Sequence, residues 1–216
     1  MTLMIKMIKS YKRTLLATSL LALSPVLVGL LLWNRLPAQI PTHFSGTNTP
    51  DDWSSKATAV FGMPLFLFAM QWLCFLCTSA DPKRQNISPK LIRVLLWFLA
   101  ILSPTVICSC YAVALGVNIN IGMLVNLLVG IIFLILGNYL HKVKQNYTIG
   151  IRIPWALNSE ENWNRTHRLS AWIFILGGIV MIANAFLLSE ALLFFVIFAL
   201  LFIPCGYSFL LYKKGI

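Results

Sequence analysis

The amino-acid sequence predicts an all-α integral membrane protein with six transmembrane helices and with its N- and C-termini in the cytoplasm. Three observations carry that expectation. Hydrophobic residues make up 59% of the 216 and charged residues 11%, against roughly 45–50% and 25% in soluble chains. So few charges cannot cover a soluble surface. The chain is also divided into long charge-free intervals, and the cations that bound those intervals fall mostly on one side.

The intervals define the elements in order. Residues 1–13 form a basic N-terminal segment with Lys6, Lys9, Lys12 and Arg13. Between Arg13 and Arg35 lie 21 residues without Lys, Arg, Asp or Glu, predicting a helix over 14–33. A basic start and an apolar run also describe a signal peptide, but the run is long and "LWNRLPA" offers no good cleavage site, so a retained helix is expected. Lys56 to Asp81 encloses 24 uncharged residues, a second helix over 57–79. Residues 14–79 thus hold two helices joined by an outer loop, 34–56. Arg93 to Lys142 encloses 48 residues, and Arg168 to Lys213 encloses 44 with Glu190 as their one charge. A bilayer core of about 30 Å takes about 20 helical residues, so each long interval is a helical hairpin. The first gives helices over 93–115 and 121–140, turning near Gly116 to Asn120; with an inner loop it fills residues 80–140. A motif loop, 141–168, follows. The last block, 169–216, holds helices over 169–188 and 191–212, turning near Leu188 to Ala191, and a basic tail. Helices are required because lipid cannot satisfy backbone amides and the runs do not alternate.

Orientation follows from Lys and Arg. With both termini inside, the cytoplasmic face holds fifteen of the seventeen basic residues, leaving Arg35 and Lys56 outside. The net charge of +11 is then accounted for by topology and by anionic lipid, worth about 1 kcal/mol per juxtamembrane cation. No direct nucleic-acid partner is implied. No acid or base falls mid-span, which argues against a proton-coupled pump. Gln71, Asn126, Asn138 and Asn184 are expected to form interhelical hydrogen bonds. Pro25, Pro64, Pro104 and Pro204 are expected to kink their helices, and Gly177 and Gly178 to permit close helix approach. All five cysteines fall in spans, so soft apolar packing is expected in place of thiol chemistry. Neither metal nor cofactor is expected.

In the outer loop, Pro37, Pro41, Gly46 and Pro50 preclude a long helix. Gly46 allows a turn, and Pro50-Asp51 starts another. His43, Asp51 and Asp52 make a weak metal signal without a third spaced ligand. Phe44 and Trp53 fit the headgroup level or a landing surface for an apolar ligand. The residues expected to face such a ligand are His43, Phe44, Asp52 and Trp53.

In the motif loop, Pro154 disfavours helix at Ile153, so 148–155 should be extended or turned. Asn158 is then expected to cap a helix with Glu161 three residues on, and Glu161 and Arg165 stand i,i+4. Arg165 and Arg168 should meet headgroups. A capped, dipole-matched helix start explains much of this segment, but not why Arg152, Pro154 and Trp155 occur together. A surface for a protein or peptide explains them, and Arg152, Pro154, Trp155, Trp163, His167 and Arg168 are the residues expected to face that partner. A competing pattern is E-E-x-x-x-R at Glu160, Glu161 and Arg165, which resembles the first motif of CAAX-type membrane proteases. The later His-containing motifs of those enzymes have no counterpart after His167. A passive exporter of a hydrophobic compound is a further alternative.

The two loops together resemble the SdpI family. "NYTIGIRIPWALNSEENWNRTHRLSAW" matches its N-x-x-x-G-I-R-x-P-W-x-L core and T-H-R at Asn146, Gly150, Ile151, Arg152, Pro154, Trp155, Leu157, Trp163, Thr166, His167 and Arg168. The outer "IPTHFSGTNTPDDWSSK" resembles a small uncharacterised domain that often precedes it, at Pro41, His43, Phe44, Gly46, Asp52, Trp53, Ser55 and Lys56. The resemblance implies a non-enzymatic bacterial membrane protein that gives immunity to a secreted toxic peptide. It also implies a toxin receptor that holds a small winged-helix repressor at the membrane, and partners that are then the lipid bilayer, the peptide and the repressor.

Overall fold

The computed structural model describes residues 2–45 and 48–216. Seven α-helices and one short hairpin follow in order: α1 (Thr2–Leu31), β1 (Gln39–Phe44), β2 (Pro50–Ser55), α2 (Met63–Ala80), α3 (Pro89–Ala114), α4 (Ile121–Leu140), α5 (Pro154–Asn158), α6 (Glu160–Leu187) and α7 (Glu190–Lys213). A π-helical turn, Thr58–Gly62, leads into α2. Six helices are long and apolar enough to cross a membrane, as expected from the charge-free intervals. The described residues form two compact units: the chain up to Ser79 with Ile92–Val125, and Ala80–Leu91 with Asn126–Ile216.

In the first unit, α1 is longer than the expected 14–33, because the basic segment is helical from Thr2 onward. Lys and Arg are good helix formers, and nothing in residues 2–13 breaks the helix. Pro25 lies inside α1 and cannot donate to the carbonyl of Leu21. Ser24 Oγ donates to that carbonyl instead, at 2.7 Å. Ser103 Oγ of α3 donates to the next carbonyl, Ala22, at 2.7 Å. The Tyr111 hydroxyl reaches the carbonyls of Ala59 and Pro25 at 3.2 and 3.4 Å. Lipid offers no water to the freed Leu21 carbonyl, so Ser24 takes the amide's place there, while Ser103 and Tyr111 satisfy their own hydroxyls on backbone carbonyls. Pro64, expected to kink the second span, sits just after the π-helical turn. A wider turn accommodates the missing amide at Pro64. Gln71 donates to Thr18 Oγ1 at 2.9 Å, an interhelical bond of the expected kind.

The hairpin replaces the irregular outer loop anticipated from four breakers. Strands β1 and β2 pair antiparallel, with Gln39 opposite Ser55, Pro41 opposite Trp53 and Phe44 opposite Pro50. Pro50 therefore belongs to a strand rather than to a turn, and Gly46 lies outside the described residues. Register irregularities at Pro41/His43 and His43/Phe44 accompany the proline in β1, which fits an edge position. Leu36 and Ile40 anchor the hairpin in an apolar cluster with Val60, Ile107, Tyr111 and Ile121.

In the second unit, α4 and α6 meet through glycines. A Cβ on Gly130 would lie 2.8 Å from the carbonyl oxygen of Gly178, and one on Gly137 would lie 2.8 Å from that of Ala171. Gly178 was anticipated at such a contact; Gly130 and Gly137, seven residues apart on one helical face, were not. Gly177 instead faces Val196. Asn184 donates to Asn126 Oδ1 at 3.0 Å, joining the same two helices. At the α6–α7 turn, Leu188 is left-handed and Ser189 caps α7 by accepting from Leu192 N.

Candidate functional site

Residues 141–168 fold back on the short connection between α2 and α3 through buried polar side chains. Asn146 is fully buried. Its amide nitrogen donates to the carbonyls of Lys144 and Ile149, both at 2.9 Å. Its Oδ1 accepts from the amides of Thr148 and Ile149 at 2.9 and 2.7 Å. One side chain thus shapes the whole turn before Gly150. Asp81, which closes the second charge-free interval, is also buried, at 3% exposure. One carboxylate oxygen accepts from the Lys83 amide at 2.7 Å. The other accepts from the Tyr147 amide at 2.9 Å and the Thr148 hydroxyl at 2.5 Å. Gln145 completes the link: its Oε1 accepts from Lys83 Nζ at 2.5 Å, and its amide donates to the carbonyls of Ala156 and Leu157. Among the described residues the Asp81 carboxylate accepts three bonds in all, two of them from residues 147 and 148 across the fold.

The Gly150 backbone requires glycine twice over. Its φ is 118°, outside the range side chains tolerate. An added Cβ would also collide with His167 Nε2 and lie 3.2 Å from the Trp163 ring. Trp163 and His167, four residues apart on α6, stack at 3.9 Å between ring centroids. Trp163 Nε1 donates to the carbonyl of Val143 at 2.7 Å. His167 Nδ1 faces the Trp163 carbonyl at 2.9 Å, and Nε2 faces the Ile151 amide at 3.0 Å. A carbonyl only accepts and an amide only donates, so these partners specify neutral imidazole with its proton on Nδ1.

Pro154 opens α5 at its first position, where a missing amide costs nothing. Ile153 before it is extended, as expected. The α6 cap differs from expectation. Ser159, not Asn158, caps it by accepting from Asn162 N, because α5 carries the chain helically through Asn158. Glu160 and Glu161 lie in the first turn, and Glu161 pairs with Arg165 on an exposed face. Asn162 is buried; it donates to the carbonyls of Ser208 and Ile216 and accepts from the hydroxyls of Ser208 and Thr166.

The residues expected to face an inner partner therefore divide. Trp163 and His167 are buried, at 0% and 1% exposure, and support the surface from beneath. Trp155 is half-buried against Phe209, ring centroids 5.0 Å apart. Arg152 and Pro154 are exposed; Arg152 Nη1 donates to the carbonyl of Tyr147 at 3.0 Å. Arg168 is exposed but lines a separate cleft with Asn138 and Trp172. Asp81 and Gln145 went unremarked in the sequence; only a folded chain brings an interval boundary against a loop more than 60 residues away.

The hairpin residues divide as well. His43 is exposed, and its Nδ1 lies 2.6 Å from Asp51 Oδ1. Asp52 is opposite His43 in register, but its Oδ1 accepts from the Trp53 amide at 2.8 Å. Trp53 is 49% exposed. Phe44 packs partly buried against the apolar cluster rather than presenting itself. Asn48, outside the expected set, has the longest reach. Its Oδ1 accepts from the amides of Ile121 and Gly122 at 2.8 and 3.2 Å, and its Nδ2 donates to Ile119 O at 3.2 Å. The hairpin tip thereby satisfies free amides at the start of α4. Among the described residues no three of His, Cys, Asp and Glu gather as a metal site.

Comparison with known proteins bears on both regions. Residues 142–209 match the SdpI/YfhL protein family. Residues 20–68 match a domain of unknown function, DUF1648, which takes in the hairpin. The chain is 26% identical over 190 residues to Immunity protein SdpI of Bacillus subtilis (strain 168), covering 86% of this chain and 87% of that one. No solved structure matches. The six apolar helices and this relative make the chain a multi-pass protein of the bacterial plasma membrane. The matched segment contains Asn146, Trp163 and His167 of the buried cluster, and Gly150 beside them.

Proposed function

We propose that this chain is an immunity protein that protects the bacterium making it from a secreted peptide toxin. The observation that carries the reading is similarity to an immunity protein along 86% of the chain, which takes in both the hairpin and the buried cluster. The cation distribution supports an orientation with both termini and residues 141–168 in the cytoplasm and the hairpin outside. An apolar peptide that partitions into the bilayer meets exposed His43, Asp52 and Trp53 of the hairpin, and binding there neutralises it. The exposed part of the inner segment, Arg152, Pro154 and the edge of Trp155, is the surface a winged-helix repressor reads in a toxin-bound state. For that step the ligand must favour one of two helix packings by differential affinity.

No observation favours the protease reading, since Glu161 lies exposed in an ion pair with Arg165. The deciding experiment expresses the chain in a strain sensitive to secreted peptide fractions from the organism that makes it. Survival where the control dies supports immunity. Equal killing overturns it. Survival lost in Glu161→Gln would restore the protease, and survival with peptide pumped to the medium would identify an exporter.

A further inference from the structure

A cleft of about 600 Å³ opens between the end of α4 and the start of α6, lined by Asn138, His141, Asn164, Arg168, Trp172 and Ile175. Ala171, whose carbonyl lies against Gly137 of α4, also lines it. The four polar residues have a common property. Among the described residues, the side chains of Asn138, His141, Asn164 and Arg168 form no hydrogen bond or ion pair with the protein, whereas Asn126, Asn146, Asn162 and Asn184 are all bonded to it. Exposed amides and a guanidinium beside a lipid-facing helix need polar partners.

The depth of the cleft says what those partners are. Helix α6 has 28 residues, about 42 Å at 1.5 Å each, against a hydrocarbon core of about 30 Å. The excess falls at the start, where Glu160, Glu161, Asn164 and Arg165 are exposed and the far end is apolar, so the first two turns stand outside the core and Arg168 falls at the boundary, near the end of α4 at Leu140. Trp172 and Ile175 lie one and two turns further in, and Trp172 is 64% exposed. An occupant must present anionic oxygens at the polar level and methylenes just beneath.

We propose that the cleft binds one anionic glycerophospholipid of the bilayer. Arg168 and the amides of Asn138 and Asn164 take the phosphate oxygens, and Trp172 and Ile175 take the first acyl methylenes. The site is independent of the immunity reading, and it assigns Arg168 to lipid in place of a protein partner.

The test titrates full-length protein in non-ionic detergent with dioleoyl-phosphatidylglycerol or dioleoyl-phosphatidylcholine and counts retained lipid by native mass spectrometry. Phosphatidylglycerol should be retained about fivefold more tightly, the increment of one cation near an anionic headgroup. Arg168→Gln should remove the preference, Arg168→Lys should keep most of it, and Arg165→Gln, whose side chain is outside the cleft, should leave it intact. Asn164→Leu should weaken retention with the circular-dichroism melt unchanged, which keeps the test valid if Arg168→Gln folds poorly. Equal retention of the two lipids, a preference that survives Arg168→Gln, or full displacement by inorganic phosphate would each overturn the proposal.

Discussion

The hairpin between α1 and α2 is held by apolar burial and shows its polar residues; the cluster that residues 141–168 form with Asp81 does the reverse. Leu36 and Ile40 are buried beneath the hairpin, while His43, Asp51, Asp52 and Trp53 stand exposed. In the other region Asp81, Asn146, Asn162 and His167 are buried, and each is bonded to backbone groups or neighbouring side chains. Apolar burial is non-directional, whereas hydrogen bonds fix distance and angle. The difference teaches that the hairpin tolerates exchange at its exposed positions. The segment, by contrast, holds one geometry in which nearly every buried polar atom has an assigned partner.

The strongest way to break this comparison is Gly150→Ala. The positive φ and the collision with His167 together should destabilise the protein by about 3 kcal/mol or more. Reduced membrane abundance and a lower unfolding midpoint in detergent would show it. A variant as stable as the parent would mean that the stacked Trp163–His167 pair is not pinned. Next, Asn146→Ala leaves buried amides and carbonyls of residues 144–149 without partners. The expected cost is about 2–4 kcal/mol, measured as the same shift in midpoint. If Asn146→Ala costs no more than a typical exposed substitution, the turn is held by its neighbours and the polar framework is redundant.

The contrast also explains what could be read in the sequence. Membrane spans follow from where charge is absent, a property local to each run, and the four intervals place six helices within a few residues, apart from the starts of the first and the fifth, which reach back through charged residues to Thr2 and Glu160. The extension of α1 to Thr2 is not legible in the charge pattern, because Lys6, Lys9, Lys12 and Arg13 mark the membrane boundary without marking a helix boundary. The hairpin was hidden because β1 carries Pro41 and shows no clean alternation in burial. Asn158 and Ser159 are adjacent good caps, and the choice between them depends on the short helix that Pro154 starts. Asp81 is a special case: its partners, Tyr147 and Thr148, lie 66 and 67 residues away. In the site, i,i+4 spacing puts Trp163 and His167 on neighbouring faces of one helix, but their stacking and burial depend on Gly150 and Val143, which spacing does not bring together.

A smaller effect sharpens the comparison from the hairpin side. Asn48→Ala removes the contacts that satisfy the amides of Ile121 and Gly122. As with loss of a helix cap, about 1 kcal/mol is expected, seen as a modest drop in midpoint. Proteolysis at the hairpin should accelerate more than global unfolding, because the tip loses its tie to α4 while Leu36 and Ile40 remain buried. Uniform loss across the protein would instead make Asn48 part of the core framework.

The smallest stability effect carries the sharpest functional test. His43 and Asp51 form an exposed pair with side chains 70% and 46% accessible, and such pairs contribute about 0–1 kcal/mol. His43→Ala, Asp52→Ala and Trp53→Ala should therefore each leave the unfolding midpoint within about 0.5 kcal/mol of the parent, as surface changes do. If these side chains meet the toxin, the same variants should lose protection in the challenge assay while membrane abundance stays constant. Buried substitutions such as Asn146→Ala should lose protection only in proportion to abundance. Protection that tracks abundance in every variant, hairpin included, would mean that the exposed strands are not the recognition surface, and the search for it would move to lipid-facing helix surfaces of the first unit.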